Sequence, residues 1–419
     1  MNYREIISFL KSRDLTMVKY DRKNYDEFLK SVNFSINFPF IHVAGTNGKS
    51  SLCHYLSNIY LKASYKVGSF IKPFLGEPIK MISYLGENIK EGDFARIFTK
   101  FENQIIDSNL TSFEIECFVA LSFFNEVKPD LVIIECGMGG LLDATNILDA
   151  KPLLSIISSV SLEHVAFLGK TIKDIALQKS GIIKKDAPVL VSSYVPKEAL
   201  SVIAIEARKK GASLYQELSF KFIKYESPYF HFSYGSYLDL LLFTNAYYEI
   251  KNASLAIEAI KLLRLKLPVS ESSLREGLLA KCLPARLERR GHFLLDGAHN
   301  EEAIKNLIES LSYIKKDRKI VTLFASYKDK NISHILPLLK NVSEQVFLTT
   351  FPSSRARKKE DYVSYLDEYS FSSDFKLAIN NLLLTYPDDW ILITGSLDFA
   401  YQAKKYILEE FENEQRETN

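Results

Sequence analysis

The sequence predicts an α/β protein of two domains, each a mostly parallel sheet flanked by helices, and three observations carry that expectation. Phe40, Ile41 and Val43 form an apolar approach to Gly45-Thr46-Asn47-Gly48-Lys49, beyond which Leu52, Tyr55, Leu56, Ile59 and Tyr60 recur at helical spacing. Leu131-Val132-Ile133-Ile134 is an unbroken apolar run, as expected of a parallel strand buried on both faces. From Phe293 onward, strand and helix patterns alternate. The first domain, residues 1–285, is therefore expected to be of P-loop type with an antiparallel edge, and the second, residues 286–419, a smaller Rossmann-like α/β domain.

Composition narrows the class. At 419 residues the chain is too long for one compact core, and its 47% hydrophobic and 25% charged residues are those of an ordinary globular protein. A net charge of +2, with lysines and acids interspersed, gives no support to nucleic-acid binding. Cys53, Cys117, Cys136 and Cys282 are widely spaced and lack a Cys-x-x-Cys pair, which argues against zinc or disulfides and fits a reducing cytoplasm. Met1 to Glu5 opens an amphipathic helix without a signal pattern, and no apolar run approaches the roughly 20 residues that span a bilayer. A monomeric cytoplasmic protein without nucleic-acid or membrane partners is expected.

In chain order, helix 2–12 is followed by a polar link to Pro39, the strand, the glycine loop and its helix. A second strand is expected over 65–71, then a loop over 72–80 broken by Pro73, Gly76 and Pro78, and helices over 91–108 and 114–127. After the strand ending at Glu135 come strand 153–160 and helix 171–179, closed by Gly181. Alternation continues through 187–217. Aromatic alternation from Phe220 to Phe243 suggests antiparallel strands covering one edge, and 245–265 a long helix. Residues 282–291 form a basic link at the domain boundary. Strands over 293–296, 319–324, 345–350 and 390–394 then alternate with helices over 300–313, 331–339, 374–385 and 397–411.

The glycine loop sits where a helix N-terminus faces an anion, so backbone N–H groups and Lys49 can cradle phosphates, with Ser50 or Ser51 available to magnesium. The plainer alternative is a glycine turn with a solvated lysine. Glu135 ends a buried strand, where ligands gather in parallel sheets, and is either a magnesium ligand or an acid paired with a lysine. His164, just past another strand end, is a candidate for catalysis or metal binding, although a lone histidine is more often structural.

Together these segments resemble the folylpolyglutamate synthase and dihydrofolate synthase family, a branch of the Mur ligase group. His42 to Lys49 resembles its phosphate loop, Glu135 to Asn146 its acid-and-glycine motif, and Glu163-His164 with Leu168-Gly169 its histidine motif. Lys179-Ser180-Gly181-Ile182 resembles the segment whose lysine is carbamylated in relatives. Asn252-Ala253, Pro284-Ala285-Arg286 and Asp296-Gly297-Ala298-His299-Asn300 resemble the Asn, Arg and Asp elements that contact ATP. Lys328-Asp329-Lys330 and Gly395-Ser396-Leu397 look like later family segments. The resemblance implies an ATP-dependent ligase that adds L-glutamate to the γ-carboxylate of a reduced folate through an acyl phosphate. It implies Lys49, His164 and Lys179 as catalytic residues, and Thr46, Asn47, Gly48, Lys49, Ser50, Ser51, Asn252, Arg286 and Asp296 around ATP. Magnesium ions would be held by Ser51, Glu135, His164 and, if carbamylated, Lys179; a plain Lys179 would instead neutralise the acyl phosphate.

Several positions depart from the family pattern. Ile71-Lys72-Pro73-Phe74 stands where relatives show Thr-Ser-Pro-His, whose serine is a magnesium ligand. Ser50 replaces a glycine, Leu141 an arginine and Gln178 a glutamate. Three other readings therefore stand beside the folate reaction: dihydrofolate synthase, alone or combined with it; another Mur-like amide ligase; and a nucleotide binder without turnover.

Overall fold

The computed structural model describes residues 1–14, 21–72, 77–147 and 150–412. The chain forms two compact units. One comprises Met1–Phe220, Tyr234–Ser236 and Asn252–Ala280; the other comprises Lys221–Ser233, Tyr237–Lys251 and the chain from Lys281 onward.

The first unit is built on eight strands: β1 (Phe40–Ala44), β2 (Val67–Phe70), β3 (Ile82–Tyr84), β4 (Glu87–Asn88), β5 (Leu131–Glu135), β6 (Leu154–Ile157), β7 (Val189–Val191) and β8 (Leu214–Gln216). Their order is β4-β3-β2-β5-β1-β6-β7-β8. β2 to β8 through β5, β1, β6 and β7 are parallel, while β3 pairs antiparallel with β2 and β4 antiparallel with β3. All five residues of β1 and all five of β5 are buried, as continuous apolar runs covered on both faces require. Helix Lys49–Lys62 leaves β1 through Gly48, whose φ of 79° is the left-handed conformation that glycine adopts without cost. Helices Ser112–Val127 and Ile172–Ser180 each start with a reciprocal capping box, Thr111 with Glu114 and Thr171 with Asp174.

The second unit carries an antiparallel sheet in which β9 (Lys221–Glu226) pairs with β10 (Tyr229–Tyr234), with β11 (Tyr237–Phe243) beyond it. Its larger sheet comprises β12 (Glu288–Arg290), β13 (Phe293–Leu295), β14 (Ile320–Phe324), β15 (Gln345–Thr349), β16 (Ser370–Ser372) and β17 (Trp390–Thr394). The order is β12-β13-β17-β14-β15-β16, with β12 alone antiparallel.

Both α/β sheets and their flanking helices agree with the expected fold class, and the differences are local. The antiparallel edge of the large sheet is made by β3 and β4, whereas the aromatic stretch 220–243 forms a sheet of its own, because alternation sets a strand's faces without choosing its partner. The polar link after residue 12 contains helix Lys23–Ser31, short enough that only Tyr25, Phe28 and Leu29 mark its buried face. The 91–108 helix breaks at Phe101 into Glu91–Lys100 and Glu102–Asp107. Part of the basic link 282–291 is β12, which pairs with β13 across Gly291. Pro73, Phe74 and Gly76 lie outside the described residues, and Pro78–Met81 forms a 3-10 turn. Gly181 does close its helix, but at φ −58°; glycine is needed there for space, since a Cβ would lie 2.2 Å from the Leu141 Cα.

Helix Glu271–Leu278 packs on Lys49–Lys62 through Gly277, where a Cβ would fall 2.5 Å from the Ile59 Cα. Backbone cannot yield as a side-chain tip does, so Gly277→Ala should lower stability by about 1–3 kcal/mol despite alanine's better helix propensity. An unchanged or raised midpoint in thermal or urea melts would refute that close contact.

Candidate active site

β5, β1 and β6 lie side by side, and their C-terminal ends deliver the parts of one site in the first unit. β1 runs into Gly45–Gly48, and β6 runs into Ser158–Ser161, which fastens that loop. Thr46 N donates to Ser159 O at 3.1 Å, Asn47 N to Ser159 Oγ at 2.7 Å and Ser158 Oγ to Asn47 O at 2.7 Å. Thr46 Oγ1 donates to Ser161 O at 3.2 Å and accepts from Ser161 N at 3.0 Å. A Cβ on Gly45 would stand 2.0 Å from Ser158 Oγ, and one on Gly48 2.3 Å from Asn252 Oδ1. Both glycines therefore permit close approach, and Asn252 lies beside the loop. Lys49 folds back, its Nζ donating to Gly45 O at 2.8 Å and to Thr46 O at 3.0 Å.

Glu135, at the end of β5, is 2% exposed. Its Oε1 lies 2.8 Å from Ser50 Oγ and its Oε2 accepts from Lys72 N at 2.7 Å, while Ser50 Oγ also sits against the Lys72 carbonyl, so its single proton serves one of the two oxygens at a time. Ser51 is buried in the first turn of the same helix. The Lys72 ammonium lies 3.6 Å from the centroid of the Phe113 ring. Lys72 thus binds Glu135 through its backbone while its charge rests on an aromatic face.

Beyond β6, Glu163 pairs with Lys179, which is 0% exposed. Burial lowers the Lys179 pKa, and Glu163 only partly restores it. Burial pushes Glu163 the other way, but Lys179 and Lys49 outweigh it and hold the carboxyl at about 2. His164 follows at φ 44°, capping the short helix Val165–Leu168. The carbonyl end of the Lys179 helix sits against the glycine motif: Leu141 N donates to Gln178 O at 2.7 Å, and a Cβ on Gly140 would meet Gln178 O at 2.9 Å.

His42 is a member of this region that the motifs mark only as the start of the loop. Its Nε2 lies 2.8 Å from Thr145 Oγ1 and 3.1 Å from Cys136 Sγ, and Thr145 N in turn donates to Asp143 Oδ1 at 3.0 Å. Burial, with Lys184 and Arg22 nearby, pushes the imidazole down to about 3, so it stays neutral and ties β1 to the glycine motif.

The second unit holds Arg286 and Asp296. Asp296 Oδ2 accepts from Tyr248 OH at 2.6 Å and Leu287 N at 2.8 Å, and Oδ1 from Ala298 N at 2.8 Å. Burial raises its pKa, against Tyr248 and Arg286. Arg286 is flanked by Ala285 at φ 54° and Leu287 at φ 45°; Ala285 O accepts from Gly297 N at 3.0 Å, and Leu287 N donates to the Asp296 carboxylate. Asn300 caps helix Glu301–Ile314 through Ala303 N at 2.9 Å. Tyr248 carried no signal in the sequence beyond its place in a helix.

Among the described residues no group of three or more His, Cys, Asp or Glu side chains is poised to hold a metal. The oxygens of Ser50 and Glu135 nevertheless suit a hard divalent cation. Glu163 and Lys179, as an ion pair, do not; they would only after the ammonium became an anionic carbamate.

His42 also sets an acid dependence. The unfolded imidazole takes a proton near pH 6.5 and the folded one only near 3, so stability is full above 6.5 and falls as pH drops through that window. His42→Gln should show a smaller drop in melting temperature between pH 7.5 and pH 5 than the parent chain; equal drops would rule out the linkage.

Residues 43–193 match the Mur ligase middle domain, and residues 285–397 match the Mur ligase glutamate ligase domain. The chain is 31% identical over 389 residues to the dihydrofolate synthase/folylpolyglutamate synthase of Bacillus subtilis, covering 87% of this chain and 90% of that protein. It is 30% identical to the protein of the same name from Escherichia coli, covering 88% and 87%. Among solved structures, E. coli FolC in complex with DHPP and ADP superposes with a TM-score of 0.85 at 26% identity, covering 97% of this chain and 98% of that one. A bifunctional folylpolyglutamate synthase/dihydrofolate synthase with Mn, AMPPNP and L-glutamate bound gives a TM-score of 0.83 at 25% identity, covering 97% and 98%. With these likenesses extending over nearly the whole chain and the phosphate-loop geometry above, the chain belongs to the dihydrofolate synthase/folylpolyglutamate synthase family of Mur ligases and is an ATP-dependent amide ligase.

Proposed function

We propose that the chain adds L-glutamate to the γ-carboxylate of a reduced folate, with residues 1–285 binding ATP and residues 286–419 serving as the ligase domain. The observation that carries this reading is the fastened loop Gly45–Lys49, opening a helix beside Glu135 in a chain whose relatives are named for folate ligation. The folate carboxylate attacks the γ-phosphorus of ATP, ADP leaves, and an acyl phosphate forms. The amine of glutamate then attacks the acyl carbon, a proton is lost, phosphate leaves and an amide remains.

Lys49 would exchange its contacts with the Gly45 and Thr46 carbonyls for the transferring phosphoryl group, and the N–H groups of the helix's first turn, Lys49 to Ser51, would line the phosphates, with Thr46 and Asn47 held in place by Ser159 to shape the loop around them. Asn252 stands beside Gly48, and Arg286 is presented by a turn that Asp296 pins. Glu135 with a hydroxyl of Ser50 or Ser51 would hold a divalent cation, taken as magnesium, which supplies charge neutralisation when bound. The manganese and AMPPNP bound in one structural neighbour support a divalent ion and a nucleotide here. Lys179 suits carbamylation, since burial favours its neutral amine, and the amine attacks carbon dioxide with loss of a proton. The carbamate beside Glu163 would place two anions together, and His164 would share the cation they call for. The reading also takes the chain as a cytoplasmic monomer, the compartment where its free cysteines stay reduced. Among the described residues no helix is long and apolar enough to cross a membrane.

Coupling of glutamate to dihydropteroate is the second reading, favoured by the double name of several relatives. Incubation with ATP, glutamate and either tetrahydrofolate or dihydropteroate, with product mass as readout, separates the two; a chain that extends neither contradicts both. Lys49→Ala should reduce turnover at least about 100-fold, the scale of losing one preorganised electrostatic group. Its melting temperature should stay within about 2 °C of the parent, since a loop lysine adds little packing. A large loss of stability in that variant would mark the lysine as structural.

A further inference from the structure

One side of the second unit gathers cations, Arg289, Lys315, Lys316 and Arg318, that form no ion pair among the described residues. A cavity of about 460 Å³ lies against Arg286 and Arg289, walled by Pro228, Phe243 and Leu283. It shares Ser227, Asn245 and Arg289 with a second cavity of about 220 Å³, lined by Lys315, Lys316, Arg318 and Trp390. The Arg289 and Arg318 guanidinium carbons each lie 4.7 Å from the Trp390 ring centroid. Among the described residues no carboxylate lies within ion-pair distance of Arg289, Arg318, Lys315 or Lys316, and Glu288, which borders the larger cavity, is already paired with Arg290 and Lys404. The buried Nε1 of Trp390 has no acceptor there either.

The usual fate of surface cations is pairing with acids or dispersal in solvent. Here the indole face lies against two guanidiniums, a contact that limits their rotamers, and a guanidinium is the group that grips a carboxylate with two parallel bonds. Repeated along a trough of connected cavities, such groups match a ligand with carboxylates at intervals, which describes a γ-linked glutamyl chain. Asn245 and Ser227 add neutral polar groups, and the apolar wall suits the methylenes between the acids.

We propose that this trough, from Arg289 along Trp390 and Arg318 to Lys315 and Lys316, binds the polyglutamyl tail of the folate substrate; the inference rests on the folate reading above. Two measurements test it. Penta-γ-glutamate binding by calorimetry needs no turnover, so it stands apart from the success of the folate reading. Arg289→Ala/Arg318→Ala should weaken that binding about tenfold, and Lys315→Gln/Lys316→Gln, which leaves the stack intact, should weaken it about threefold. In steady-state kinetics the same variants should raise KM for triglutamyl tetrahydrofolate by similar factors while KM and kcat for the monoglutamate stay unchanged. Equal binding by parent and both variants overturns the proposal, as does an equal effect on the monoglutamate. Inorganic phosphate that competes as well as the peptide does so too, because the trough would then be a phosphate site.

Discussion

Three parallel strands that stop side by side oblige the chain to satisfy their terminal backbone groups at one place, and the site is made from how it does so. β1 turns into the Gly45–Gly48 loop, β5 ends on a buried carboxylate, and β6 ends on three serines whose hydroxyls and carbonyls occupy the loop's polar groups. A loop with glycines at both ends would otherwise lose much conformational entropy on ordering. Fastening from Ser158 to Ser161 takes up the Thr46 and Asn47 N–H groups and fixes the loop, so that the N–H groups of the helix's first turn beyond Gly48 are set in place before an anion arrives.

The same economy of position governs charge. Lys49 and Lys179 lie close enough to Glu163 to act on its protonation, and the balance leaves Glu163 ionised although it is largely withdrawn from water. Turning Lys179 from a cation to an anion would therefore reverse the local field. A site whose sign depends on one buried nitrogen can stay neutralised when empty and become attractive to a cation once modified.

Legibility in the sequence followed the range of the forces involved. The loop, the Leu131–Glu135 strand and the helix carrying Lys179 are set by neighbours within a turn or two, and their patterns showed them. Ser158 and Ser159 fasten a loop more than 110 residues away, and serine in a loop has no period by which to notice it. His42 was visible only as the residue before the loop, since its links to Thr145 and Cys136 exist only once β1 and β5 are neighbours. Asp296 could be picked out by likeness, but Tyr248, which donates to it across 48 positions, could not. In the fold, alternation announced antiparallel strands over 220–243, while their assignment to a separate sheet depended on contacts with the second unit.

The turn that presents Arg286 bends through two left-handed residues that are not glycine, Ala285 and Leu287. Each such residue costs on the order of 1 kcal/mol, a cost that folding tolerates where surrounding structure over-determines the backbone. Leu287 is fully buried and its N–H is held by Asp296, so core packing and one carboxylate together keep the turn wound. Glycine at either position would relax the bend and free the arginine to wander. On the reading that Arg286 meets ATP, a glycine that relieves the strain at either position would loosen the proposed contact, so thermal hardiness and activity would pull in opposite directions at this turn.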